Sequence, residues 1–93
     1  MTTKRVLTWS KGGEADVLEI DRGAVRLVSS VPSPPGSTLV GSFDVAGYKG
    51  ELRVKIFGSK LQPDGTFVLN GRPVDLTTAQ REVLASVTVK LGA

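Results

Sequence analysis

The sequence predicts an all-β fold, a small β-barrel or strongly curled sheet with one C-terminal α-helix. Three observations lead there. Short runs of apolar and β-branched residues follow one another along most of the chain, some alternating with period two. Gly and Pro punctuate them, 11 and 5 among 93 residues, so turns are frequent. Only the last segment changes to helical spacing. Short antiparallel strands with a single helix to cover one opening close most economically on themselves, which also removes exposed edges.

The elements follow in order. Val6 to Trp9 reads as a first strand or arm, broken by Lys11-Gly12-Gly13-Glu14. Val17-Leu18-Glu19-Ile20 and Ala24-Val25-Arg26-Leu27-Val28 flank Asp21-Arg22-Gly23 and read as a hairpin, with Gly23 the natural place for a positive φ. Val31 to Ser37 holds Pro32, Pro34 and Pro35, so it is a surface connector. Thr38 to Val45 is the next strand, with Leu39, Gly41, Phe43 and Val45 on one side. Ala46 to Gly50 reads as a turn. Glu51 to Phe57 has the cleanest alternation: Leu52, Val54 and Ile56 face one way, and Arg53, Lys55 and Phe57 the other. Gln62-Pro63-Asp64-Gly65 is a strong turn, and Thr66 to Asn70 returns as a strand that Gly71-Arg72-Pro73 ends or bulges. Thr77 to about Leu91 predicts the helix, with Val83, Leu84, Val87 and Leu91 at helical spacing. Thr77 and Gln80 are placed for a capping box, and Gly92 for a C-terminal cap. The expected core is Leu52, Val54, Ile56, Phe67, Leu69, Val83, Leu84 and Val87.

Composition bounds the chemistry. The length supports a single domain over residues 1–93. There is no cysteine, so there is no disulfide framework and no thiolate metal site. There is no histidine, which removes the usual general base, metal ligand and neutral-pH switch. No nucleophile–base pair can be written, no phosphate loop is present, and the acids are scattered, so neither an enzyme nor a metal site is expected. Glu19 and Asp21 lie at i, i+2 on one strand face and read as solvated. No apolar stretch approaches a membrane span, and the run after Arg5 is too short for a signal-peptide core, so a cytoplasmic location is expected. The net charge of +3 is mildly basic. A basic barrel can bind single strands through cations and stacked aromatics, here Lys4, Arg5 and Trp9, or Arg53, Lys55 and Phe57. Aromatic content is only 5%, and most of it is needed for the core, so nucleic-acid binding is not the favoured expectation. Arg53, Lys55 and Phe57 stand instead as a candidate surface for a protein partner.

The order and spacing from Val6 to Leu91 resemble the PilZ domain of bacteria. The pieces are Val17 to Leu27 around Gly23, Pro35-Gly36-Ser37-Thr38-Leu39, Leu52-Arg53-Val54-Lys55, Gly65-Thr66-Phe67, and a terminal helix with Arg81 and Leu84. The resemblance implies a six-stranded antiparallel β-barrel with a C-terminal helix. The family's best-known activity is binding cyclic diguanylate. It uses two arginines separated by three residues in the N-terminal arm and an Asp/Asn-x-Ser-x-x-Gly motif at the hairpin. Here Arg5 has Met1 and Trp9 at the required offsets. Counting back from Gly23, Ile20 stands at the serine position and Leu18 at the Asp/Asn position, so only Gly23 survives. Losing the arginine pair against a ligand with two phosphates removes several kcal/mol, on the order of 1.5–3 for each charged hydrogen bond. The resemblance therefore implies a member without a cofactor. It would be an adaptor for another protein in motility, pilus or cell-polarity signalling, as a monomer or weak oligomer. An atypical cyclic diguanylate receptor and a single-strand-binding barrel are the alternatives.

Overall fold

The computed structural model describes residues 5–89. Six strands, β1 (Leu7–Trp9), β2 (Glu14–Ile20), β3 (Val25–Ser29), β4 (Thr38–Val45), β5 (Tyr48–Leu61) and β6 (Phe67–Val74), precede one helix, α1 (Thr78–Ala85). They form a closed antiparallel barrel in the order β1-β2-β3-β6-β5-β4, with β4 returning to β1 through Leu7↔Phe43 and Trp9↔Gly41. The all-β barrel with a C-terminal helix expected from the sequence is thus the fold.

Alternation decides which residues fill the barrel. Leu39, Gly41 and Phe43 on β4, and Leu52, Val54 and Ile56 on β5, are buried, while Arg53, Lys55 and Phe57 point out. Leu7, Trp9, Val17, Leu27 and Leu69 complete the interior. Leu84 is the one fully buried residue of α1 and packs on this core. Phe67, Val83 and Val87, expected in the core, are only half-buried. Phe67 opens β6 at the start of the strand, and a two-turn helix presents only a narrow stripe to the barrel end.

Several local expectations are corrected. The turn between β4 and β5 is only Ala46-Gly47, not Ala46 to Gly50. Both residues have positive φ, 50° and 85°, as a two-residue hairpin turn with the right twist requires. Gly23 does not adopt a positive φ. The Asp21 carboxylate accepts from the Gly23 N–H at 3.3 Å and the Asp21 N–H bonds the Ala24 carbonyl at 2.9 Å, so a side chain shapes the turn instead. Gly71-Arg72-Pro73 neither ends nor bulges β6, which runs through them to Val74. Its neighbour β3 reaches only Gly71, so Pro73 has β5 alone beside it, a position that tolerates proline. The bulge lies opposite, in β5, where the register passes from Ile56↔Gly71 to Gly58↔Asn70 and leaves Phe57 unpaired.

The helix also stops early. Its start is as expected: the Thr77 hydroxyl accepts from the Gln80 N–H at 3.1 Å, and Gln80 Oε1 accepts from the Thr77 N–H at 3.2 Å. It ends at Ala85 because Ser86 Oγ donates to the Val83 carbonyl at 2.6 Å and Val87-Thr88-Val89 are β-branched. The Val89 N–H instead bonds the Val17 carbonyl at 2.9 Å, which carries the chain along β2. Leu91 and Gly92, expected to finish the helix, lie outside the described residues, as do Met1 and Lys4.

Candidate interaction surface

The residues at the ligand positions of the resemblance are occupied by the barrel's own structure. Trp9 is 2% exposed, and its indole Nε1 donates to Ser29 Oγ at 3.0 Å. An indole inside the barrel is an apolar filler with one satisfied donor, not an arm residue. Arg5 is paired with Asp16 at 3.3 Å, and the other Asp16 oxygen accepts the Val6 N–H at 3.0 Å. Leu18 sits at the register shift of β2 and packs with Val28 and Val68 on the outside of the barrel. Ile20 is half-buried against the interior. Gly23 lines a cleft of about 280 Å³ with Asp21, Ala24, Arg26, Phe57 and Asn70. Glu19 and Asp21 are both exposed, as expected, but only Glu19 is on the strand: it pairs with Arg26 at 3.0 Å, and Asp21 lies in the turn beyond β2.

The outward face of β5 and β6 is different in character. Arg53 stands between Val40 on β4 and Val74 on β6, and Lys55 between Thr38 and Arg72. Directly opposed antiparallel residues have Cβ atoms about 4.5–5.5 Å apart, and residues at i, i+2 are about 7 Å apart. Three cations therefore crowd one patch, with Lys55 facing Arg72 as a like-charge pair. Among the described residues the ion pairs are Arg5–Asp16 and Arg26–Glu19, so none of Arg53, Lys55 and Arg72 takes part in one. Such a like-charge pair weakens a sheet slightly, by roughly a few tenths of a kcal/mol at an exposed position. Phe57 follows on the same strand and is 56% exposed, thrown outward by the bulge. Arg53, Lys55 and Phe57, singled out by alternation, do share this face.

Arg72 was missed. Pro73 beside it signals the end of a strand, and only the pairing of β6 with β5 brings it opposite Lys55. No local pattern carries that signal.

A larger cleft, about 500 Å³, lies by the start of β1 and is lined by Arg5, Val6, Phe43, Val45, Lys49 and Val87. Its cations face acids: Arg5 has Asp16, and Lys49 stands opposite Asp44 in the sheet. It offers an anion less than the β5 face does. Among the described residues no three His, Cys, Asp or Glu side chains are gathered to hold a metal ion, and no helix is long and apolar enough to cross a membrane.

Comparison with protein-family models, with curated proteins and with solved structures found no match.

Proposed function

We propose that the chain is a PilZ-like interaction module, an adaptor that binds another protein in bacterial signalling, in the cytoplasm and without a cofactor. Motility, pilus and cell-polarity control are the processes that the resemblance suggests. The observation that carries this reading is the contrast between two surfaces. The positions that would grip cyclic diguanylate hold Trp9, Leu18 and Ile20, which are buried or half-buried, and an Arg5 already paired with Asp16. The β5 face holds three outward cations that form no ion pair among the described residues, with Glu51 on the same strand face two residues before Arg53, beside an exposed phenylalanine. A cation cluster tolerated against its own repulsion is best explained by a partner that neutralises it.

The test is calorimetry with cyclic diguanylate at tens of micromolar. No saturable heat is expected, because the one arginine of the arm is engaged and the hairpin positions offer no polar group. Low-micromolar binding that disappears in Arg5→Ala would replace the adaptor reading with that of a receptor.

A further inference from the structure

We propose that the edge of β5 from Phe57 to Leu61 accepts an added strand, supplied by an extended acidic segment of a partner protein. This rests on the interaction-module reading and adds to it a mode of binding and a chemistry. The last β4 residue paired with β5 is Thr38, opposite Lys55. The loop before it then bonds Ile56 on both sides, through Gly36 N–H to the Ile56 carbonyl at 2.7 Å and Ile56 N–H to the Ser37 carbonyl at 2.8 Å. From Phe57 onward β5 pairs with β6 alone. Among the described residues no backbone–backbone hydrogen bond reaches its other edge. The Gln62 side chain touches the Lys60 carbonyl, at 3.4 Å. Five residues extend about 17 Å, the length of an ordinary strand.

The sheet face beside this edge is open as well. A Cβ built at Gly58 meets nothing within 4 Å. Phe57 and Leu61 stand at its two ends, 56% and 63% exposed, as apolar anchors for the residues of an incoming strand. Unpaired strand edges recruit extended segments through main-chain hydrogen bonds, and flanking side chains choose among them. Here the chooser is charge. Lys60 lies on the edge, Lys55 and Arg72 lie beside it, and Phe57 to Leu61 contains no acid. A second copy of this chain would set these cations against its own, and an edge lysine is a common device against such self-pairing. A segment carrying Glu or Asp converts the same repulsion into attraction. Nucleic acid would satisfy the charge but not the row of backbone donors and acceptors, so a protein segment is the better fit.

The test is amide hydrogen exchange of the full chain by NMR, with a capped peptide alternating Glu and Val as probe. The same peptide with Lys for Glu and a short oligothymidylate are the comparisons. With the acidic peptide at about ten times its Kd, edge amides within Phe57–Leu61 are expected to exchange about tenfold more slowly. The basic peptide should leave them unchanged. Lys55→Glu with Lys60→Glu, both at exposed positions, should reverse the preference while keeping the barrel's amide spectrum. Perturbation without protection, equal protection by both peptides, or no effect at millimolar peptide would overturn strand addition. Protection that grows with protein concentration alone would assign the edge to a second copy. Protection by oligothymidylate at physiological salt would assign it to nucleic acid. Failure of strand addition to a peptide leaves the interaction-module reading to its own tests, which fail on cyclic diguanylate binding or on salt-sensitive single-strand binding.

Discussion

Two glycines flank the β5 bulge in space, and they should respond oppositely to the same substitution. A Cβ built at Gly71 lies 2.5 Å from the Lys55 carbonyl oxygen, 2.7 Å from Val54 Cγ1 and 3.3 Å from the Lys55 carbonyl carbon. Carbon–oxygen contacts settle near 3.3–3.6 Å, so Gly71→Ala must push the two strands apart by about 0.8 Å. The obstacle is backbone, which cannot rotate aside. Overpacking of this kind costs about 1–3 kcal/mol, and the backbone contact places it at the upper end. Alanine restricts the unfolded chain and returns about 0.4–1 kcal/mol. The net expectation is a loss of about 2 kcal/mol, a fall in Tm of about 8–16 °C for a domain of this size. At Gly58 nothing stands within 4 Å, and φ is outside the left-handed region, so Gly58→Ala keeps only the unfolded-state term. It should be neutral or more stable by up to about 1 kcal/mol. Urea unfolding followed by circular dichroism measures both, read as a shift in midpoint at constant slope. If Gly71→Ala stays within about 0.5 kcal/mol of the parent, or Gly58→Ala is equally harmful, the close approach of β6 to β5 at the bulge is wrong.

Leu84→Ala should cost about 2–4 kcal/mol, since it removes the one fully buried side chain of α1 and leaves a cavity at the barrel end; a loss below about 0.5 kcal/mol would mean that the helix does not dock there. A single strand of DNA should not bind appreciably at physiological ionic strength, and a micromolar complex that weakens steeply with salt and with Arg53→Ala and Lys55→Ala would revive the nucleic-acid reading. The Thr66 hydroxyl donates to the Asp64 carboxylate at 2.6 Å and the Thr66 N–H at 2.9 Å, which together hold that carboxyl below its usual pKa. A pKa lowered by folding contributes stability above the unfolded carboxyl's range and loses it as pH falls through the lowered value. A carboxyl-carbon NMR titration should place the Asp64 midpoint below that of an aspartate in an unstructured peptide, and Thr66→Val should move it back up; an unchanged midpoint in that variant would remove the hydroxyl as the cause.

Period-two alternation in Leu39 to Val45 and Leu52 to Phe57 was legible from residues alone, because which face a strand buries is a local property of its side chains. The turn at Pro63-Asp64-Gly65 and the capping box of Thr77 and Gln80 were legible for the same reason: their hydrogen bonds close within four residues. Positions where a nearer bond competes were misjudged, as at Gly23, where the Asp21 side chain shapes the turn, and at Ala85, where Ser86 takes a helix carbonyl. The rest was decided in three dimensions. Trp9 counts by sequence among the aromatics needed for the core, but what satisfies its indole is decided only when the barrel brings it to Ser29, 20 residues away. Arg72 joins Lys55, and Phe57 leaves the ladder, only through the β5–β6 register. Long-range pairing is chosen by how much surface the whole chain can bury at once. No window of sequence contains that quantity: alternation placed Arg53, Lys55 and Phe57 on one face, but Arg72 opposite Lys55 and the open edge beside them came into view only with the barrel.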